Sequence, residues 1–172
     1  ETTDFMQQIA SMSSVESIAN LNTTVENIGN SLMTSQAALQ ASSMVGQTAF
    51  IKTDKGVLAA EGSSVNGVVS LPSSTSQVRV SVYDQAGTLV DRQFLGAKAA
   101  GDHEFAWQKD GAAAGEYRIV AEAQDGDDFK TIESFIGFPV NSVTLGQNGI
   151  GMTINTDAGA VGINEVRQLG KG

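Results

Sequence analysis

Residue types able to do chemistry are few in this chain and poorly spaced for it. One histidine, His103, stands between Asp102 and Glu104. A Ser–His–Asp triad would have to use it as the base, but no serine sits in a nucleophile-elbow pattern, so His103 reads as a surface strand residue. A lone imidazole also excludes metal binding through several histidines. Asp125, Asp127 and Asp128 suggest the start of a calcium loop. The EF-hand spacing then needs an oxygen ligand at 129 and glycine at 130, where Phe129 and Lys130 stand, so the segment reads as a solvated hairpin tip. Gly146, Gly149 and Gly151 are wrongly spaced for a dinucleotide fingerprint and precede no expected helix; they read as turn glycines. Cysteine is absent, which removes disulfides, thiolate metal sites and a cysteine nucleophile. No catalytic constellation is present, and no cofactor or metal is expected.

Binding chemistry is equally constrained. The formal charge is −9, with 10 basic against 19 acidic residues. Nucleic-acid binding relies on clustered Lys and Arg to displace counterions, and the basic residues here form no run. No apolar stretch reaches the ~20 residues of a membrane-spanning helix, so no membrane insertion is expected. Trp107 could stack on a sugar or peptide, but an indole at the end of an alternating strand reads as core. Asn22-Thr23-Thr24 is formally a glycosylation sequon, but it falls in an expected helix. The first residue is Glu1 and no basic, apolar leader follows it; the chain is expected to begin inside a longer protein.

The elements that would position these residues fall into distinct regions. No Lys or Arg precedes Lys52, and almost half of residues 1–43 are Ser, Thr, Asn or Gln. Phe5, Ile9 and Met12 form a short apolar stripe, and Ile18, Leu21, Val25, Ile28, Leu32 and Leu39 follow a three-four rhythm that lines one helix face. Ser13 with Glu16 and Thr23 with Glu26 both match the capping-box spacing, which favours a helix from Ser13 to about Ala41. In heptad terms Ile18, Val25 and Leu32 take one seam position and Leu21 and Ile28 the other, without the flanking charges that fix a partner. Such a stripe either folds onto its own domain or packs against another molecule. The weakly charged polar face favours the second reading, with Ile18, Leu21, Val25, Ile28 and Leu32 as the assembly interface.

From Val45 the period changes to two. Thr48–Lys52 and Gly56–Ala60 read as a hairpin around Thr53-Asp54-Lys55-Gly56. Val78, Val80 and Val82 share one face of a strand, and Arg79, Ser81 and Tyr83 the other. Further strands are expected towards Phe94 and over His103–Trp107, Gly115–Ala123 and Phe129–Phe135, with turns at Asp84–Gly87, Lys109–Gly111 and Asp125–Asp128. Short strands at this spacing suggest a β-sandwich. Val140–Leu145, Ile150–Ile154 and Val161–Ile163 follow. Neither flank has enough strands to bury a core alone, so residues 44–65 and 138–172 are expected to pair into one small sheet or barrel, with the sandwich of 66–137 inserted between its halves.

Several of these segments resemble a known family, the bacterial flagellar hook-capping or hook-assembly scaffold proteins. Ser13–Glu16 before the Asn- and Ser-rich helix is similar to the family's N-terminal region, and Met44–Thr48 to its helix-to-strand junction. Val82–Val90, followed by Gly101, Trp107, Gly111 and Gly115-Glu116-Tyr117, resembles its inserted immunoglobulin/fibronectin III-like module. Val143–Gly146 through Gly162–Arg167 resembles the C-terminal segment that closes a Tudor-like barrel. Gln108 stands where the family usually has Asp, and the family's upstream export segment is not in this sequence. The resemblance implies a mainly β fold: a fibronectin III-like sandwich (66–137) inserted into a Tudor-like barrel (44–65 and 138–172), preceded by an amphipathic helical segment (1–43). It implies export by the flagellar type III apparatus without a cleaved signal peptide. It further implies self-association into a ring-like cap at the distal end of the growing hook, and contact with hook subunits. A surface adhesin or carbohydrate-binding module with a fibronectin-like sandwich is the alternative; it would need exposed aromatic rings and no long helix.

Overall fold

A computed structural model describes residues 1–171 of the chain; Gly172, the last residue of the expected 138–172 segment, lies outside the described residues. The N-terminal region is a single helix, α1 (Thr2–Met44). It starts well before the Ser13 expected to cap it. Between residues 2 and 44 Gly29 is the only glycine, the weakest helix former after proline, and no proline intervenes. Thr23, one of the two hydroxyls that suggested a cap, serves the helix instead: its Oγ1 donates to Ala19 O, as Ser14 Oγ does to Ala10 O, the back-bonding open to Ser and Thr inside helices. The helix stops where Val45 turns extended and Gly46 takes φ +87°; Gly46 N–H then donates to Val140 O.

Thirteen strands follow: β1 (Gln47–Lys52), β2 (Lys55–Leu58), β3 (Val65–Leu71), β4 (Thr75–Tyr83), β5 (Leu89–Lys98), β6 (Gly101–Trp107), β7 (Gly115–Asp125), β8 (Asp128–Thr131), β9 (Glu133–Pro139), β10 (Ser142–Leu145), β11 (Met152–Thr156), β12 (Gly159–Gly162) and β13 (Val166–Lys171). They form a five-stranded sheet in the order β13-β1-β9-β3-β6, a second sheet β2-β7-β4-β5 with β8 also on β7, and a three-stranded sheet β10-β11-β12. All the pairings are antiparallel.

The fold is mainly β with an N-terminal helix, as the alternating pattern implied, but three pairings differ from expectation. β1 and β2 do not form a hairpin. Ala49, Phe50 and Ile51 are all buried, a continuous apolar run that suits an interior strand, and β1 lies between β13 and β9. At Thr53-Asp54 the chain leaves that sheet and crosses to the other. Asp54 O accepts from Ile119 N–H, and β2 pairs Lys55–Leu58 with Gly115–Arg118 of β7. β2 therefore lies in the sandwich and not with the C-terminal strands. The expected strand Phe129–Phe135 breaks at Ile132 in the same way: β8 stays on β7, while β9 enters the five-stranded sheet between β1 and β3. Finally, the two flanks do meet, since β13 and the Phe138–Pro139 end of β9 pair with β1, but β10–β12 stand apart from that ladder in their own sheet.

The main core lies between the two larger sheets, where Val78, Val80 and Val82 of β4 meet Val65, Val69, Ile119, Ile136 and Trp107. The Tyr117 hydroxyl donates to Ala113 O four residues upstream, the tyrosine-corner arrangement of immunoglobulin-like sandwiches. A smaller apolar cluster, Phe50, Val68 and Phe135, lies on the opposite face of the five-stranded sheet. Beside it the sheet curls until side chains of its two outer strands meet. Arg167 of β13 gives Nε and Nη2 hydrogen bonds to the Asp102 carboxylate of β6 at 3.1–3.2 Å, and its guanidinium stacks on the Phe135 ring.

Candidate assembly interface

The helix carries the candidate surface, and its attachment to the β body determines which face remains free. α1 packs against the 3-10 turn Gln147–Gly149 and against β10. Its buried residues are Ala37, Ala41 and Met44, all in the last two turns. The turn fits because Gly149 has φ +73° and no side chain: a Cβ there would lie 2.8 Å from Met33 O and 3.1 Å from Ala37 Cβ. Asn148, at φ 55°, supplies the other left-handed residue, a conformation Asn tolerates better than most residues. The glycines expected only to permit a turn thus also allow a close helix approach. The small residues at 37 and 41 escape a search for apolar side chains; their four-residue spacing was the available signal.

At 100° per residue the stripe centres roughly 150° around the helix from Ala37, Ala41 and Met44. The β body therefore cannot cover it. Ile18, Leu21, Val25, Ile28 and Leu32 are between 55% and 61% exposed, on one face, over nearly four turns. Phe5, Ile9 and Met12 are exposed as well. Much of the helix thus stands clear of the body with a row of large apolar side chains in water. Isolated helices gain little stability without a packed face, and a contiguous exposed apolar patch marks an interaction site.

The residues considered for chemistry lie elsewhere. His103 Nε2 is 2.7 Å from Ala99 O, a local turn contact. Asp125 pairs with Lys130 across the β7–β8 hairpin, which holds its carboxyl below the ordinary carboxylate range. Trp107 is 1% exposed; its Nε1–H donates to Asp91 Oδ2 at 2.9 Å and its ring meets that of Tyr117 at 5.1 Å. The described residues hold no group of three or more His, Cys, Asp or Glu placed for a metal ion, and no helix among them is long and apolar enough to cross a membrane.

An immunoglobulin-like β body carrying a helix docked only at its C-terminal end, with apolar stripes left exposed and no catalytic constellation, belongs with binding and assembly proteins. A family profile described as the FlgD Ig-like domain matches residues 54–127, a span that begins just before β2, in keeping with that strand's place in the sandwich. The chain is 30% identical over 181 aligned residues to the basal-body rod modification protein FlgD of Escherichia coli (strain K12), covering 98% of this chain and 77% of that protein. It is 29% identical to the protein of the same name from Salmonella typhimurium, with the same coverage. The crystal structure of FlgD from Xanthomonas campestris, described as giving insight into the hook capping essential for flagellar assembly, superposes with a TM-score of 0.65 at 29% identity. It covers 78% of this chain and 99% of that one. FlgD from P. aeruginosa gives 0.61 at 31% identity over 74% of this chain and 98% of that one. The chain belongs to the FlgD family of flagellar basal-body rod modification proteins.

Proposed function

We propose that this chain is a flagellar hook-assembly scaffold: an oligomeric cap at the distal end of the growing hook that promotes polymerisation of hook subunits, with no catalytic role. The observation that carries the reading is the exposed stripe Ile18, Leu21, Val25, Ile28 and Leu32, on a helix face turned away from its own β body. In this reading the stripe forms contacts between cap subunits in a ring, or with hook subunits. Export through the flagellar type III apparatus without a cleaved signal peptide is part of the proposal. A cysteine-free chain of small β modules, with no disulfide to break, suits passage in an unfolded form. We also propose two modules: the sandwich, enlarged at its start to include β2, and a second unit formed by β1 and the C-terminal strands. The adhesin alternative needs a platform of exposed rings; Trp107 and Tyr117 are buried instead.

Val25→Asp with Ile28→Asp tests the reading. Together these side chains expose slightly more than one full side chain's worth of apolar surface. Losing its burial should weaken association by about 1.7–3.4 kcal/mol, roughly 20- to 300-fold. Sedimentation should show lighter species, and cells carrying the variant should stop hook growth, while Trp107 emission stays native. Wild-type sedimentation and normal hooks would remove the helix from the assembly surface. Loss of the native emission would place the stripe in a core.

A further inference from the structure

The outer face of the sandwich sheet β2-β7-β4-β5 has a composition unlike the rest of the chain. Its strand register brings Lys55, Arg79, Arg92 and Arg118 onto one surface with only Glu116 and Glu122. That is four basic against two acidic residues, in a chain of net charge −9. It also gathers three of the four arginines in the sequence. Arg79 pairs with Glu122 at 2.9 Å and lies over the Phe129 ring at 3.8 Å, and Arg118 lies over Tyr83 at 4.7 Å. Arg92 donates to Ser81 Oγ, and neither Arg92 nor Arg118 has an acidic partner among the described residues. Phe94, directly opposite Arg79 on β5, is 59% exposed. Arginine and aromatic side chains on a firm sheet are what well-packed interface centres are made of.

The complementary surface is on the same chain. Residues 1–51 contain acids but no Lys or Arg. In α1, Phe5, Ile9 and Met12 are followed by Glu16 at spacings of four, three and four, so the stripe is apolar along most of its length and acidic at its C-terminal end. It lies about 170° around the helix from the Ile18–Leu32 stripe, so one helix can engage two surfaces at once. From Phe5 to Glu16 the helix runs ~16 Å, against ~14 Å across the strands of the sheet.

We infer that the arginine-aromatic face takes residues 5–16 of α1 from a second copy of this chain, with Phe5, Ile9 and Met12 on Phe94 and the neighbouring rings and the Glu16 carboxylate at Arg92 and Arg118. The contact joins two different surfaces, so it propagates head to tail and closes a ring where the rotation allows. It rests on the reading of the chain as self-assembling and assigns the second of the surfaces that reading needs.

The absence of cysteine makes trapping clean. Full-length Met12→Cys protein is mixed with full-length Phe94→Cys protein under mild oxidation; both sites are exposed in the single chain. The expected product is a mixed disulfide dimer in clear excess over the homodimer that either variant forms alone. Arg92→Glu with Arg118→Glu should reduce its yield about tenfold at low salt, and Glu16→Lys on the partner should restore part of it, as charge exchange across a contact requires. Arg92→Gln with Arg118→Gln covers the case in which charge reversal disturbs folding, with Trp107 emission as the control. No mixed dimer at concentrations where the wild type associates overturns the inference, as does a mixed dimer that ignores the charge exchange. Normal self-association with lost capture of purified hook subunits would assign the face to the hook and equally overturn it. If Val25→Asp/Ile28→Asp leaves assembly intact while the mixed dimer persists, the stripe reading fails and this one stands.

Discussion

Trp107 is the position at which the sandwich core can be measured most directly. The indole is almost fully buried, faces Tyr117 and gives its one hydrogen bond to Asp91 Oδ2. An indole side chain removes on the order of 200 Å² from water, which at ~25 cal/mol per Å² contributes about 5 kcal/mol. Trp107→Ala also leaves a cavity between two sheets that cannot fully close, yet relaxation recovers some contacts, so a loss of ~3–5 kcal/mol is expected. Trp107→Phe keeps an apolar ring but strands the Asp91 oxygen. That carboxylate also accepts from Arg92 N–H and is only half-buried, so water can replace the lost donor. The cost should stay near the low end for a charged hydrogen bond, about 1.5 kcal/mol. Urea unfolding followed by far-ultraviolet circular dichroism is the assay, because both variants lose the only tryptophan. With a slope near 2 kcal/mol/M the alanine variant should lower the midpoint by roughly 2 M, and the phenylalanine variant by under half as much. The wild-type emission should be blue and resist quenching. An alanine variant within ~1 kcal/mol of wild type, or a red and readily quenched wild-type emission, refutes the core assignment.

The helix seat and the strand-edge ion pairs give two further outcomes. Gly149→Ala forces a Cβ against Met33 O from a left-handed backbone, at a strain of ~1–2 kcal/mol before any contact is counted. Limited proteolysis should then cut α1 near Met33–Met44 faster while Trp107 emission stays native, and an unchanged cleavage rate would show that the turn does not hold the helix. Arg167, aided by Ser70, holds the Asp102 carboxyl below its ordinary range, and Lys52 does the same for Glu133. A depressed carboxyl contributes stability above its unfolded value and loses it as pH falls through the folded one. The thermal midpoint should therefore fall more steeply below about pH 4 in wild type than in Arg167→Leu, and equal slopes would remove the ion pair from the account.

The sandwich was legible because strict alternation leaves little choice: Val78, Val80 and Val82 must share a face, and the face they share is the core. The strand-to-sheet assignments were not. Thr48–Lys52 and Gly56–Ala60, two short strands around a turn-like tetrapeptide, look the same as a hairpin or as a crossover between sheets. The deciding feature is that Ala49, Phe50 and Ile51 bury side chains on both faces, which needs neighbours on both sides. Ile132 hides the second crossover within a run that reads as one strand. β13 was missed because Val166–Lys171 offers only Val166 and Leu169 as apolar residues, and Gly170 among them weakens the strand signal.

Periodicity told which helix positions share a face but not what covers that face. From Met12 to Leu21 the apolar residues Val15 and Ile18 come at intervals of three, each step turning the stripe back about 60° around the helix. The apolar surface thus moves from the side that Ala37 and Ala41 use to the side facing away from the β body. A helix built only to pad its own domain would keep its apolar side chains on the side where the domain lies. This one docks through two alanines, a methionine and a glycine turn, and leaves its larger side chains uncovered along two separate faces. Its own β body covers neither stripe.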